Sequence, residues 1–338
     1  MDLRAYFDRL AQNCLLGQLT VDPQPVSGGY MHQMYRLDTT GGRYAVKLLN
    51  PEVMSRPTAM DNYRRAEALE AVLEQNGLSI VPALAFGGRK MQCIDGRYCY
   101  VFTWVEHTAL GWREIEPAHC AVMGDLLARM HSLPIPTGKG APQFDPVQPE
   151  AMTIDWAALA RKAETTCPEI APALLEQLPV LEAAQTVYNR AVEALPPLCS
   201  ICNADMDCKN VLWKNSQPLV IDLECLETGN PVNDLIQLSL SWAGGAVCRI
   251  DYGCLRTFLS AYRQRKELPP VDWRCVTGLG FSWLDWLSYS LRRAFGETGG
   301  DSAERQTGLA QAVETLERIR YFVSVQEEVA AMIETVMG

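Results

Sequence analysis

Histidine is scarce in this chain, with only four in 338 residues, and no H-x₃₋₅-H pair or second C-x₂-C accompanies the C-x₂-C of Cys199 and Cys202. A structural zinc site needs a fuller ligand set at such spacings. Cys199, Cys202, Cys208 and Cys225 therefore read as small apolar residues around a polar loop. The twelve cysteines scatter through apolar contexts from Cys14 to Cys275, which argues for free thiols and against a disulfide framework. No stretch approaches the roughly 20 apolar residues that a bilayer span requires. Residues 1–10 carry Asp2, Arg4, Asp8 and Arg9 where a signal peptide has an apolar middle, so a cytoplasmic protein with no membrane partner is expected. Positive charge is also short: 30 Lys and Arg against 40 Asp and Glu give a net charge of −10. Such a surface repels phosphate backbones, which excludes nucleic acid as an expected partner, and it tolerates cationic small molecules. Internal repeats and low-complexity tracts are absent.

What is present is ample core material. With 48% hydrophobic residues in 338, the chain can bury two compact lobes. Strands are expected over Gln24 to Tyr30, Met34 to Thr39 and Tyr44 to Leu49, with Thr40-Gly41-Gly42 as a hairpin turn. Ala59 to Asn76 has an apolar stripe at Tyr63, Ala66, Leu69, Val72 and Leu73, and Gly77 stops it. Ala83 to Gly87 and Arg97 to Trp104 are further strand candidates. From Glu116 onward helices dominate: Pro117 to Ser132, Thr153 to Glu164, Ala171 to Leu195, Val232 to Ala243, Tyr252 to Arg265, Thr277 to Phe295 and Ser302 to Met337. The expected fold is α+β and bilobal. A small antiparallel β-sheet lobe with one main helix (1–105) would bind nucleotide, and a larger, mostly helical lobe (106–338) would carry catalysis and substrate.

The most informative segment is Asn203-Ala204-Asp205-Met206-Asp207-Cys208-Lys209-Asn210, followed by Val220-Ile221-Asp222-Leu223-Glu224. A carboxylate, an Asn five residues on, and a second Asp at the end of an apolar run form the order that phosphoryl transfer uses. The first orients a hydroxyl, and the other two hold Mg²⁺ against nucleotide phosphates. Asp205 is the expected catalytic residue; Asn210 and Asp222 are the expected metal ligands. As turn caps these residues would be unremarkable, but they sit at the ends of apolar strands, where polar side chains usually serve a ligand or a special hydrogen bond.

Lys47 lies in the apolar strand Tyr44-Ala45-Val46-Lys47-Leu48-Leu49, where burial demands an anionic partner. It is expected to reach the α- and β-phosphates of ATP or GTP, held by Glu67 of the next helix, with Glu70 as the second choice. Ser27, Gly28 and Gly29 lie between the first two strands, where backbone N–H groups can approach phosphate oxygens; the full G-x-G-x-x-G pattern is missing. Phe102 to Glu106, with Trp104 and Val105 at its centre, would lie along the purine. Asp234 opens an apolar helix and could brace the catalytic loop or serve as a plain helix cap. Trp283 and Trp286 could wall a cationic amine or simply pack in the core. His131, near a helix end, reads as structural.

These residues resemble the aminoglycoside phosphotransferase and choline kinase-like family, whose fold is similar to that of protein kinases. The resemblance covers most of the chain. Its H-G-D-x-x-x-x-N and I-D-x-E/D segments match Asn203 to Asn210 and Ile221 to Glu224, with Asn203 in place of His and Ala204 in place of Gly. Lys47 matches its strand lysine, Glu67 the helix partner, Leu126 to Leu133 its L-L-A-x-L-H-x-L helix, and Asp234 the Asp of its D-P-x-x-D-L segment. The resemblance implies ATP or GTP, Mg²⁺ and transfer of the γ-phosphate to a hydroxyl of a small molecule. With the net negative charge, the acceptor suggested is cationic: an aminoglycoside, choline or another amino alcohol. The alternative is a nucleotide-binding regulatory protein of the same fold that has lost the reaction.

Overall fold

The computed structural model describes residues 2–26, 32–138 and 140–338. In chain order these form α1 (Leu3–Asn13), β1 (Gln24–Val26), β2 (Gln33–Thr39), β3 (Gly42–Leu48), α2 (Pro51–Met54), α3 (Ala59–Gln75), β4 (Gln92–Ile94), β5 (Arg97–Thr103) and β6 (Thr108–Ala109). There follow α4 (Pro117–His131), α5 (Trp156–Thr166), α6 (Ala171–Glu193), β7 (Ser200–Cys202), β8 (Val211–Lys214), β9 (Gln217–Val220), β10 (Glu227–Gly229), α7 (Pro231–Trp242), α8 (Tyr252–Arg265), α9 (Trp273–Val276), α10 (Trp283–Ala294) and α11 (Ser302–Met337). The chain clusters into two units. The first holds residues 1–109, 135–144 and 210–227; the second holds 110–134, 145–209 and 228–338. The expected boundary at 105 and 106 thus lies near the first division, but residues 210–227, with Asn210 and Asp222, group with the first unit.

In the first unit five strands pair in the order β1-β2-β3-β5-β4, and every pairing is antiparallel. Side chains alternate between faces along a strand, and this sorts β3. Val46 and Leu48 join Leu37, Val101 and Cys99 in a core closed by Tyr6, Phe7 and Leu10 of α1. Lys47 therefore points to the opposite face, the side of Tyr63 and Tyr100, which pack with Leu49 and Ala83. The sequence reading assigned no element before Gln24, yet α1 forms there. Asp2 caps it by accepting the Ala5 N–H at 3.2 Å, and its buried stripe is Tyr6, Phe7, Leu10 and Ala11.

Two-residue turns set the hairpins. Ile94 pairs with Arg97 across Asp95-Gly96, and Lys214 pairs with Gln217 across Asn215-Ser216. All four loop residues have positive φ, the backbone that lets right-twisted strands close on two residues. The expected strand over Ala83 to Gly87 is not formed; Ala83 and Phe86 make isolated bridges instead. Pro82 supplies no N–H to a ladder, and Gly87 and Gly88 turn the chain at φ of 58° and 77°. The third position beside β5 goes to β4.

In the second unit α4 packs along α8, α5 along α6 and α10 along α11. Gly124 marks the closest approach of α4 to α8, since a Cβ there would stand 2.2 Å from the Phe258 carbonyl oxygen. The single helix expected over Thr277 to Phe295 divides: Thr277–Ser282 is a 3₁₀ segment and α10 begins at Trp283. Gly280 lies against Phe322, which leaves no room for a side chain. Among the described residues no helix is long and apolar enough to cross a membrane.

Candidate active site

The first unit carries a cluster centred on Lys47. Val211 pairs with Val220, and the Ile221 N–H donates to the Asn210 carbonyl at 2.9 Å. The turn at Asn215-Ser216 thus closes one end of the β8–β9 hairpin and leaves Asn210 and Asp222 flanking its open end. Asp222 adopts a left-handed backbone, φ 59° and ψ 57°. A non-glycine residue pays of order 1–2 kcal/mol for that conformation, Asp less than most. Its carboxylate accepts from Lys47 Nζ at 2.6 Å, and Glu224 forms a second ion pair with the same ammonium.

The expected ion pair between Lys47 and Glu67 is not formed. Tyr100 lies directly across the ladder from Lys47, and its hydroxyl donates to Glu67 Oε1 at 2.7 Å. Glu70 is engaged too, accepting from the Ala83 N–H at 2.9 Å and from Lys90 at 2.6 Å. Lys47 is 6% exposed. Burial alone would lower its pKa, but Glu224 and Asp222 outweigh that and raise it above the ordinary lysine value. Glu224 shows the converse: burial pushes it up, while His32 and Lys47 hold it lower than a free glutamate.

His32 is tied into this cluster. The Asn50 N–H donates to His32 Nδ1 at 3.0 Å, so the hydrogen of a neutral ring sits on Nε2, 3.2 Å from Glu224 and from the Tyr63 hydroxyl. Sequence pattern marks Glu224 only as the carboxylate closing Ile221-Asp222-Leu223-Glu224 and Tyr63 only as part of an apolar helix stripe; their meeting with His32 is a tertiary contact. Ser27, Gly28 and Gly29 lie outside the described residues. The Trp104 N–H donates to the Arg43 carbonyl at 3.1 Å, the Arg36 guanidinium lies 5.6 Å from the Trp104 ring centroid, and the Val105 carbonyl accepts from His107 Nδ1 at 2.8 Å.

The second unit carries Asp205 on the loop after β7. The Asn203 side-chain carbonyl accepts the Asp205 N–H at 3.3 Å, and the Asn203 N–H donates to Asp234 Oδ2 at 3.0 Å. The amide of Asn203 thus does loop-shaping work that a ring nitrogen could also do. Asp234, 2% exposed at the start of α7, receives a second donor, His131 Nε2 at 3.0 Å; His131 Nδ1 is 2.9 Å from the Tyr262 hydroxyl. An ionised carboxylate only accepts, so Nε2 carries the proton and Nδ1 takes the hydroxyl's. His131, Cys202 and Asp234 bring potential ligand atoms within 4.8 Å of one another, but with both ring nitrogens in hydrogen bonds His131 has no lone pair left for a metal. Trp242 Nε1 donates to the Met206 carbonyl at 3.0 Å and pins the loop from beneath.

Lys209 completes the loop, with Nζ 2.8 Å from Asp205 and 3.3 Å from Asp207. Burial would lower this ammonium's pKa, but Asp205 and Asp207 raise it; burial raises Asp207 in spite of Lys209. Asp205, Asp207 and Lys209 line one wall of a cavity of about 420 Å³. Asn233, Gln237 and Ser241, on one face of α7, line another, together with Trp283, Trp286 and Arg318.

The chain matches the phosphotransferase enzyme family over residues 22–268. No curated protein matches it by sequence. Among solved structures it is similar to a spectinomycin phosphotransferase in complex with ADP and spectinomycin, with TM-score 0.66 and 13% identity over 97% of both chains. An amicoumacin kinase in complex with AMP-PNP, Ca²⁺ and Ami superposes with TM-score 0.63 and 15% identity over 94% of both chains. A choline/ethanolamine kinase family protein from Mesorhizobium loti gives 0.62 and 16% over 97% of both.

Proposed function

The chain belongs to the phosphotransferase enzyme family, and from that premise we propose that it transfers the γ-phosphate of ATP or GTP to a hydroxyl of a small molecule. The observation that carries the reading is the 2.6 Å contact of Lys47 with Asp222, a residue in strained left-handed backbone at the mouth of the β8–β9 hairpin. Strained backbone of this kind gathers at ligand sites. Asn210 and Asp222 offer oxygen donors only, the set that suits Mg²⁺; the cation, when bound, neutralises phosphate charge.

Lys47 binds the α- and β-phosphates, exchanging its contacts with Asp222 and Glu224 for phosphate oxygens. Asp205 accepts the proton of the acceptor hydroxyl. As that O–H bond breaks, the oxygen bonds to the γ-phosphorus, the bond from phosphorus to the β–γ bridging oxygen breaks, and the nucleoside diphosphate leaves with those electrons. Such catalysis is positioning and electrostatics, and the Asn203, Asp234 and Met206 contacts supply the positioning of Asp205. Retention of Lys47, Asp205, Asn210 and Asp222 together favours this over a nucleotide-binding regulator without activity. Net charge alone, −10, would favour an amine-bearing acceptor such as an aminoglycoside, choline or another amino alcohol, but the cavity beside Asp205 carries its own cations, Lys209 and Arg318.

Calorimetry with ATP and Mg²⁺, paired with an ADP-release assay over a panel of alcohols, tests the proposal. Wild type is expected to bind nucleotide and to turn over with some acceptor. Full turnover in both Asp205→Asn and Asp222→Ala would rule out the assignment.

A further inference from the structure

We propose that the acceptor carries a carboxylate, received by Arg318, and presents its hydroxyl to Asp205 across the same cavity; this rests on the phosphotransferase reading and deepens it. The cavity is bounded by four charged side chains: Asp205, Asp207, Lys209 and Arg318. Lys209 lies on both carboxylates, 2.8 Å from Asp205 and 3.3 Å from Asp207, so neither is without a cation. An ammonium group entering here would have to compete with Lys209 for both carboxylates, at a wall open enough to solvent that a new ion pair is worth little.

The aromatic wall gives the same answer. A cationic amine would seek the open face of an indole. The face of Trp283 is already taken by the Arg318 guanidinium, 4.7 Å from the ring centroid, and Trp286 is stacked on Tyr289 at 5.3 Å. The protein thus supplies its own cation where an amine would otherwise sit. Arg318 lines the cavity and has capacity to spare: among the described residues its one anionic partner is Glu314, which is bound through Nη2 and largely solvent-exposed. A guanidinium offers five N–H donors, more than one exposed glutamate uses, and Arg–carboxylate geometry is the strong form of the contact a ligand would add. The remaining polar wall, Asn233, Gln237 and Ser241 at successive turns of α7, is uncharged and suits hydroxyl groups. A cavity of about 420 Å³ is in the size class of pockets that enclose ring-containing ligands.

The test uses 4-nitrophenyl β-D-glucoside, which is neutral, and two probes that each differ from it at one substituent: the β-D-glucuronide, anionic through a C6 carboxylate, and the 2-amino-2-deoxy-β-D-glucoside, cationic through a C2 ammonium. Each is titrated into the full chain at neutral pH in the presence of AMP-PNP and Mg²⁺. The glucuronide is expected to bind tightest and the amino sugar weakest. Arg318→Gln is expected to weaken the glucuronide by roughly tenfold and leave the glucoside unchanged, with Arg318→Lys in between. Tightest binding by the amino sugar, equal binding of all three, no glucuronide binding at millimolar concentration, or an equal loss of glucuronide and glucoside in Arg318→Gln would each overturn the proposal. AMP-PNP binding is titrated separately, so failure of the phosphotransferase reading itself shows as loss of that signal in wild type.

Discussion

The two polar clusters are held by different physics. In the first unit Lys47 is fixed by ion pairs with Asp222 and Glu224, contacts that a phosphate can replace group for group. In the second, the carboxylate of Asp205 meets Lys209, but the loop that carries it is fixed through backbone: Asn203 takes the Asp205 N–H, Asp234 holds Asn203, and Trp242 holds the next carbonyl along the loop. Exchangeable charges suit the proposed nucleotide end, which would release product at every turnover. Amide and indole contacts, which no substrate replaces, suit an end whose geometry must not change.

The sharpest test of this contrast lies in Asp205. Asp205→Asn keeps the loop contacts made through its backbone and removes the proposed proton acceptor, so turnover should fall by about 10²–10⁴ while ATP affinity, read by calorimetry, stays near wild type. An equal loss of both would show that the two clusters are not separable. Asp234→Ala attacks the scaffold instead. With His131 Nε2 and the Asn203 N–H left buried and unpartnered, the protein should lose about 2–4 kcal/mol in a urea melt, and kcat should drop with little change in nucleotide affinity.

Lys47→Met should do the reverse, weakening ATP by roughly 10- to 100-fold with the fold retained by circular dichroism. Glu224 gives the pH signature of the exchangeable cluster. Its pKa is lowered in the folded chain, so the unfolded state takes up a proton first. Its contribution to stability is present above the ordinary glutamate range and lost as pH falls through the lowered value. Glu224→Gln should flatten that acid limb of a stability-versus-pH curve; an unchanged limb would remove Glu224 from the cluster. The smallest effect is expected at Glu67→Gln, about 0.5–1 kcal/mol of stability from a weakened Tyr100 contact, with nucleotide affinity nearly unchanged. A loss as large as that of Lys47→Met would restore Glu67 as the partner of Lys47.

Much of this arrangement was legible in local pattern. The strand alternation that buries Val46 and Leu48 sends Lys47 to the other face, and the apolar run before Asp222 marks the end of a strand. Helix α7 follows its Asn230 cap, whose side chain takes the Val232 N–H at 3.0 Å. Two local signals went unread. Asp95-Gly96 is a strong two-residue hairpin turn and sets β4 against β5, and Asp2 followed by the Tyr6, Phe7, Leu10 and Ala11 stripe announces α1. The strand assigned to Ala83 to Gly87 shows the opposite failure, because apolar content there outvoted Pro82.

The choice of Glu67 failed for another reason. A lysine on a strand and a carboxylate on the next helix are consistent with pairing, but Tyr100 stands opposite Lys47 and claims Glu67, and sequence spacing cannot rank competing acceptors. The same holds for His131, whose value depends on Asp234 and Tyr262 arriving from 103 and 131 residues away.

By itself the sequence determined most of the elements and the order of Lys47, Asp205, Asn210 and Asp222, because periodicity, turn chemistry and motif spacing act over a few residues; the phosphotransferase family came from its resemblance to known sequences. Only the tertiary structure decided which carboxylates hold Lys47, what anchors the Asp205 loop, and that Arg318 covers Trp283. Those are contests among side chains brought together from distant parts of the chain, and they are settled by distance, burial and the limited number of hydrogen bonds each group can make.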